Sequence, residues 1–266
     1  MNREDVKRRN KMGHKCTAIV LSAGKGKRMG SDIPKQYMLL DGKPVLYYCL
    51  KSFQDSFLDE IVIVACEADF SYIKEEIVDK YNISKVKSIV GGGAERYDSV
   101  LCGLRAAGEC DYIFIHDGAR PFTDDVILKR AYETVIRYGT AIVSMPVKDT
   151  IKVVDGDGIT VDTPDRSRVW MMQTPQVFDY KEILEAYERM DTYMKQKRGT
   201  GSGGENKSGD ASGDMVKGDK NLNITDDAMV MEHFGNLPVH VSEGSYRNIK
   251  ITTPEDMLIA EAFLRQ

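Results

Sequence analysis

The run Cys16-Thr-Ala-Ile-Val-Leu21 passes straight into Ser22-Ala-Gly-Lys-Gly-Lys-Arg-Met-Gly30, then Pro34-Lys35-Gln36, and it decides the fold. A short unbroken apolar run reads as a strand covered on both faces, and the small residues behind it mark a turn out of the sheet. Outward from it, Ile61-Val-Ile-Val-Ala65, Val86–Val90, Tyr112-Ile-Phe-Ile-His116 and Ala141–Met145 read as four more strands. Helical stretches fall between them, from Pro44 to about Gln54, over roughly Asp69–Tyr81, and at about Arg96–Ala107. Thr123 is placed to cap the next helix, with Asp124 and Asp125 in its first turn. Apolar strands alternating with helices predict an α/β fold, a doubly wound, mostly parallel, Rossmann-like sheet. Such sheets bind ligands beyond the carboxyl ends of their strands. The loops Ser22–Lys35, Gly91–Ser99 and Asp117–Phe122 are therefore the places to look.

The alternation breaks after Pro146. Asp149-Thr-Ile-Lys-Val-Val154, an Asp/Gly-rich turn, and Ile159-Thr-Val161 predict a projecting hairpin arm over about 147–168. A helix is expected over about Lys181–Lys197. Residues 198–221 hold seven glycines, no aromatics and four charges of each sign, a composition that predicts a disordered insertion. Order resumes at Thr225, and Thr253 caps a last helix opening on Pro254. Residues 1–15 are polar and basic and read as a flexible extension; residues 16–266 read as a single domain.

Lys plus Arg number 37 and Asp plus Glu 41, a net charge of −4, which argues against a general nucleic-acid binder. The longest apolar runs fall far short of the roughly 20 residues that span a bilayer. Five cysteines without a CxxC pair (Cys16, Cys49, Cys66, Cys102, Cys110) read as reduced core residues of a cytoplasmic protein.

The first loop lacks the Gly-Lys-Ser/Thr of a Walker A motif, and Met29 stands where a dinucleotide fingerprint needs its third glycine. What remains is a small-residue turn carrying Lys25, Lys27 and Arg28, with Lys35 close behind. Backbone N–H groups and four cations on one loop of an acidic chain suit a polyphosphate, such as a nucleoside triphosphate.

Ala23-Gly-x-Gly-x-Arg-Met29 with Pro34-Lys-Gln36 resembles the IspD family, the 2-C-methyl-D-erythritol 4-phosphate cytidylyltransferases of non-mevalonate isoprenoid biosynthesis. The resemblance continues through Gly91-Gly-Gly-Ala-Glu-Arg-Tyr-Asp-Ser99, His116-Asp-Gly-Ala-Arg-Pro121, Pro146-Val-Lys-Asp-Thr150, Asp165-Arg166, Gln173-Thr-Pro-Gln176, Thr225-Asp-Asp227 and Glu243–Asp256. It covers roughly residues 16–196 and 222–266. It implies a nucleotidyltransferase that joins CMP from CTP to the phosphate of methylerythritol phosphate and releases pyrophosphate. By resemblance, the catalytic cations are Arg28, Lys35, Arg166 and Lys250. CTP is expected at Ser22, Ala23, Gly24, Gly26, Gly92, Gly93, Ser99, Asp117 and Gly118, and the acceptor at Arg120, Thr150, Arg166, Thr225 and Lys250. Asp117 could meet Mg²⁺ travelling with the triphosphate, or cap local N–H groups. Arg120 could touch a phosphate or brace its loop, while His116 reads as structural. In the family the hairpin crosses to a second subunit, which implies a homodimer with Thr150 and Arg166 acting in the neighbour's site.

Two departures stand out: Gly118, where relatives commonly carry Ala or Ser, and Arg247, where many carry an acidic residue. The insertion could tether the acceptor side or simply be tolerated surface. Alternative readings are a ribitol 5-phosphate cytidylyltransferase and, in a different class, a non-catalytic nucleotide-binding module.

Overall fold

Strand order and register follow from where the apolar runs fall. The structure, a computed structural model, describes residues 13–24, 33–200 and 223–265. Most of the expected N-terminal extension, the loop stretch with Gly26 and Arg28, and nearly all of the expected insertion lie outside the described residues. The strands are β1 Cys16–Leu21, β2 Leu39–Leu40, β3 Lys43–Pro44, β4 Glu60–Ala65, β5 Val86–Gly91, β6 Tyr112–Asp117, β7 Thr140–Pro146, β8 Val153–Val154, β9 Thr160–Asp162, β10 Trp170–Asp179 and β11 Val241–Glu243. Seven of them form one sheet in the order β11-β7-β10-β6-β1-β4-β5. The pairs β1–β4, β1–β6, β4–β5 and β7–β11 are parallel, and β10 runs antiparallel to both β6 and β7.

The helices are α1 Val45–Asp55, α3 Arg96–Ala107, α4 Asp125–Tyr138, α5 Tyr180–Thr200, α6 Asp227–Phe234 and α7 Pro254–Leu264. Between α1 and α3, α2 is a composite run: a 3₁₀ turn Glu67–Asp69, an α turn Phe70–Tyr72 and a π segment Ile73–Asp79. Alternating side chains of the strands feed two cores. Ala18, Val20, Ile61 and Ile63 pack with α1, α2 and α4 on one face; Ile19, Val62 and Val64 pack with α3, α5 and α6 on the other. Burial of both faces is what turned the strand sequences into unbroken apolar runs.

Several expectations change. The cap of α4 is Asp124, whose side chain accepts from Ile127 N at 2.8 Å; Thr123 instead donates to Asn248 Oδ1. α5 reaches Thr200, past the expected end at Lys197. His14 and Lys15, read as part of the extension, are anchored: His14 Nδ1 lies 3.0 Å from Tyr132 Oη, and Lys15 N donates to Asp111. Of the cysteines, Cys16 and Cys49 are buried, but Cys66 is exposed and Cys102 and Cys110 are half-buried. Cys66 follows Ala65, the last residue of β4, and so falls outside the covered strand. The whole of β10 was illegible as a strand because its centre, Gln173-Thr-Pro-Gln176, is polar and carries a register break.

The hairpin forms two short antiparallel strands, with Val153 opposite Asp162 and every residue of β8 and β9 exposed. Among the described residues no helix is long and apolar enough to cross a membrane.

Candidate active site

β1 and β6 end side by side, Leu21 opposite Asp117, and the chain leaves both ends around a crevice of about 480 Å³. Ser22, Ala23 and Gly24 form one lip, and Gly93 with the first turn of α3 forms the other; Lys35, Asp117 and Lys250 point into the same space. The first lip is held from below. Gln36 is buried and donates to the carbonyls of Ser22 (2.7 Å) and Gly24 (3.2 Å), while Ser22 N donates to Val64 O. Lys35 opens the 3₁₀ turn Lys35–Tyr37 beside Gln36, so the brace that shapes the lip also delivers the cation.

The second lip needs its glycines for packing. A Cβ on Gly93 would stand 2.2 Å from Asp98 Cβ, and one on Gly92 would stand 2.9 Å from both Ala23 Cβ and Ser99 Oγ. Ser99 Oγ accepts from Gly93 N and donates to Glu95 O, pinning the turn, and Glu95 with Asp98 forms a capping box at the start of α3.

Asp117 is the electrostatic centre. Lys250 Nζ lies 2.8 Å from its Oδ2, Arg96 Nε 3.7 Å from its Oδ1 and Arg120 Nε 3.7 Å from its Oδ2. Burial alone would push this carboxyl up, but Arg96, then Lys250 and Arg120, hold it well below the usual carboxylate range. Arg96 is in turn gripped by Asp227, which is fully buried. Its two guanidinium nitrogens donate to the two carboxylate oxygens at 2.8 Å each, and Tyr187 Oη donates to Oδ1 at 2.5 Å. Gln176 Oε1 accepts from the backbone N–H groups of Asp227 and Ala228, and its Nε2 donates to Asp226, the cap of α6.

Beneath Asp117 lies a second buried network. The Arg120 carbonyl can only accept, so His116 Nε2 carries the proton (3.2 Å) and Nδ1 accepts from Thr174 Oγ1 (3.1 Å). Burial pushes the His116 imidazole down to about 4. It is a neutral brace. Arg120 Nη1 donates to Asn248 O at 2.7 Å, and Asn248 Nδ2 reaches the Thr174 carbonyl at 2.9 Å. This fixes the strand of chain that brings Lys250 to the crevice.

Of the residues singled out from sequence, Ser22, Ala23, Gly24, Lys35, Gly93, Ser99, Asp117 and Lys250 line this one crevice. Gly92 and the buried Gly118 adjoin it; a Cβ on Gly118 would stand 3.0 Å from Leu21 O and 2.9 Å from Leu46 Cδ1. Arg120 is buried behind Asp117 and braces the loop. Thr150, Arg166 and Thr225 are exposed and do not line the crevice; Arg166 donates to Lys148 O, and Thr225 Oγ1 lies 3.2 Å from Met229 Sδ. Arg28 and Gly26 lie outside the described residues. Arg247, the departure, turns to α7: its Nη2 donates to Phe263 O at 2.7 Å and its guanidinium lies over the Phe263 ring. A cation at a helix C-terminus is favourable, which accounts for this residue.

Sequence reasoning missed Arg96, Gln36 and Asp227 as parts of the site. A signal existed for Arg96: a cation in the first turn of a helix opposes the helix dipole, so its presence there calls for a local anion.

Among the described residues no three His, Cys, Asp or Glu side chains converge to hold a metal. Asp117, ringed by three cations, fits at most a single ligand to an ion carried by a polyphosphate.

A family model described as IspD, 2-C-methyl-D-erythritol 4-phosphate cytidylyltransferase, matches residues 16–202 and 212–266. A 2-C-methyl-D-erythritol 4-phosphate cytidylyltransferase of Lachnoclostridium phytofermentans is 44% identical over 252 residues, covering 95% of this chain and 97% of that protein. One from Geotalea uraniireducens is 44% identical over 255 residues, covering 94% and 97%. Among solved structures, the 4-diphosphocytidyl-2C-methyl-D-erythritol synthase of Anaerococcus prevotii superposes with a TM-score of 0.76 at 30% identity, over 97% of this chain and 100% of that one.

Proposed function

The chain belongs to the IspD family of 2-C-methyl-D-erythritol 4-phosphate cytidylyltransferases, and from that premise we propose how its residues divide the transfer of CMP from CTP to methylerythritol phosphate. The observation that carries the reading is the meeting of Lys35, Lys250 and the close-packed Gly93–Ser99 turn around one crevice at the ends of β1 and β6.

The acceptor phosphate is already an anion and needs no general base; the neutral, buried His116 fits a reaction without one. The barrier is the approach of two anions, which positive charge and alignment lower. Lys35 and Arg28 stabilise charge on the α-phosphate and the leaving pyrophosphate. The turn at Gly92 and Gly93, with Ser99, holds the cytosine through backbone groups, and Ser22, Ala23, Gly24 and Gly26 receive the phosphates and sugar. Lys250 takes the acceptor phosphate. Asp117 would offer one oxygen to a magnesium ion carried by the triphosphate, an ion that would supply counter-charge there.

Thr150 and Arg166 lie outside this chain's own crevice, and the hairpin between them exposes Val153, Val154, Ile159 and Val161. These observations support a homodimer in which each arm covers its apolar face on the partner and brings Thr150 and Arg166 to the partner's acceptor. Unpaired thiols fit a cytoplasmic setting.

The test is pyrophosphate release measured with each of four nucleoside triphosphates against methylerythritol phosphate and ribitol 5-phosphate. Turnover with CTP and methylerythritol phosphate alone is expected. Equal or faster turnover with ribitol 5-phosphate would overturn the acceptor assignment.

A further inference from the structure

Lys250 has two claims on its charge. In this structure its ammonium lies 2.8 Å from Asp117, yet the reading above, on which this inference rests, requires it to hold the acceptor phosphate. It must change partners, and the carboxylate it leaves would face an incoming dianion with only Arg96 and Arg120, each at 3.7 Å, to counter it. Arg96 cannot leave: both of its terminal nitrogens are bonded to the buried Asp227, and Nε, the remaining donor, is turned toward Asp117. Lys250 is the more exposed of the two and carries its charge on a flexible stem, whereas the guanidinium is a planar fork locked by a planar partner.

We propose that Arg96, held by Asp227, is a positioning residue that keeps Asp117 neutralised while Lys250 passes from Asp117 to the acceptor phosphate. Arg96 acts through Asp117 and Lys250 without itself touching the acceptor. Without its charge, Asp117 retains Lys250 more strongly and repels the phosphate more, so acceptor binding weakens. The nucleotide, held mainly by the glycine turns, is little affected.

Removing Arg96 alone would leave Asp227 buried and unpaired, so the informative variant is the neutral pair Arg96→Gln with Asp227→Asn, checked for folding by its melting transition. Binding of methylerythritol phosphate is measured by calorimetry with α,β-methylene CTP present, which removes any need for turnover. Acceptor affinity is expected to fall on the order of tenfold, with the affinity for α,β-methylene CTP changed by less than about threefold. The same pair is then introduced into an Asp117→Asn background. There Lys250 is no longer retained, and the pair is expected to change acceptor affinity by less than about twofold.

An undiminished loss in the Asp117→Asn background would overturn the proposal, because Arg96 would then act on the acceptor or on the fold directly. Unchanged acceptor affinity in the pair would overturn it as well. Lys250→Met separates the two levels: weakened acceptor binding is expected, and unchanged binding would bring down the assignment of Lys250 itself and this inference with it.

Discussion

Arg96 and Arg120 carry the same charge as Lys250 and lie beside the same carboxylate, Asp117, but their terminal nitrogens are tied to second partners. The arginines point theirs at protein: Arg96 at the buried Asp227, Arg120 at the carbonyl of Asn248. Lys35 and Lys250 line the crevice on flexible stems, Lys250 paired there with Asp117. Thr150 and Arg166 form a third arrangement, on a hairpin whose strands are wholly exposed. The contrast teaches that charge near a site is of two kinds. Cations tied to distant protein groups set the shape and potential of the pocket, and cations on flexible stems are the ones a substrate can recruit.

That division can be broken most severely from below. Asp227→Ala leaves the Arg96 guanidinium and the buried Tyr187 hydroxyl without their shared partner and is expected to lower folding stability by about 3 kcal/mol, read by urea or thermal unfolding. Loss of activity without loss of stability would mean that the buried layer is not structural. At the rim the expectation reverses. Lys35→Ala should leave the unfolding transition in place while removing about 3–4 kcal/mol of transition-state stabilisation, seen as a near-complete loss of pyrophosphate release. Mixing that variant with Arg166→Ala should restore part of the activity if arms are exchanged between subunits; no rescue despite demonstrated subunit exchange would confine Arg166 to its own chain.

The His116 layer makes a pH-dependent prediction. Its folded value of about 4 lies below the ordinary 6.5, so in that window the unfolded chain binds a proton that the folded chain does not. Stability from this group is complete above about pH 6.5 and is lost as pH falls toward 4, by about 3 kcal/mol in all. In His116→Gln the slope of unfolding free energy between pH 6.5 and 4 should flatten by about that amount; an unchanged slope would mean that the imidazole is not held neutral. The smallest effect expected is at Arg247. Replacing it by Ala removes a cation from the end of α7 and should lower stability by a few tenths to about 1 kcal/mol, with acceptor affinity unchanged. A marked fall in acceptor affinity would restore it to the site.

Legibility varied with the reach of the interactions. β1, β4 and β6 were readable because burial on both faces leaves an uninterrupted apolar run, and α3 and α7 were readable from their flanking strands and caps. β10 was not, because its middle residues serve as polar braces: Gln173 donates to Ser245 O and Gln176 locks α6. The same long reach hid the partners of Arg96 and Arg120, since Asp227 and Asn248 lie 131 and 128 residues away along the chain.

Local physics thus determined most of the strands and helices, the small-residue lips and which cations could serve phosphate. Periodicity and the steric demands of a turn act over a few neighbours and are written into the chain. Only the tertiary structure decided that Arg96 is locked to Asp227, that Lys250 begins on Asp117, and that Arg247 belongs to a helix end. Those outcomes depend on burial and on contacts between distant segments, and both come into being only when the sheet assembles.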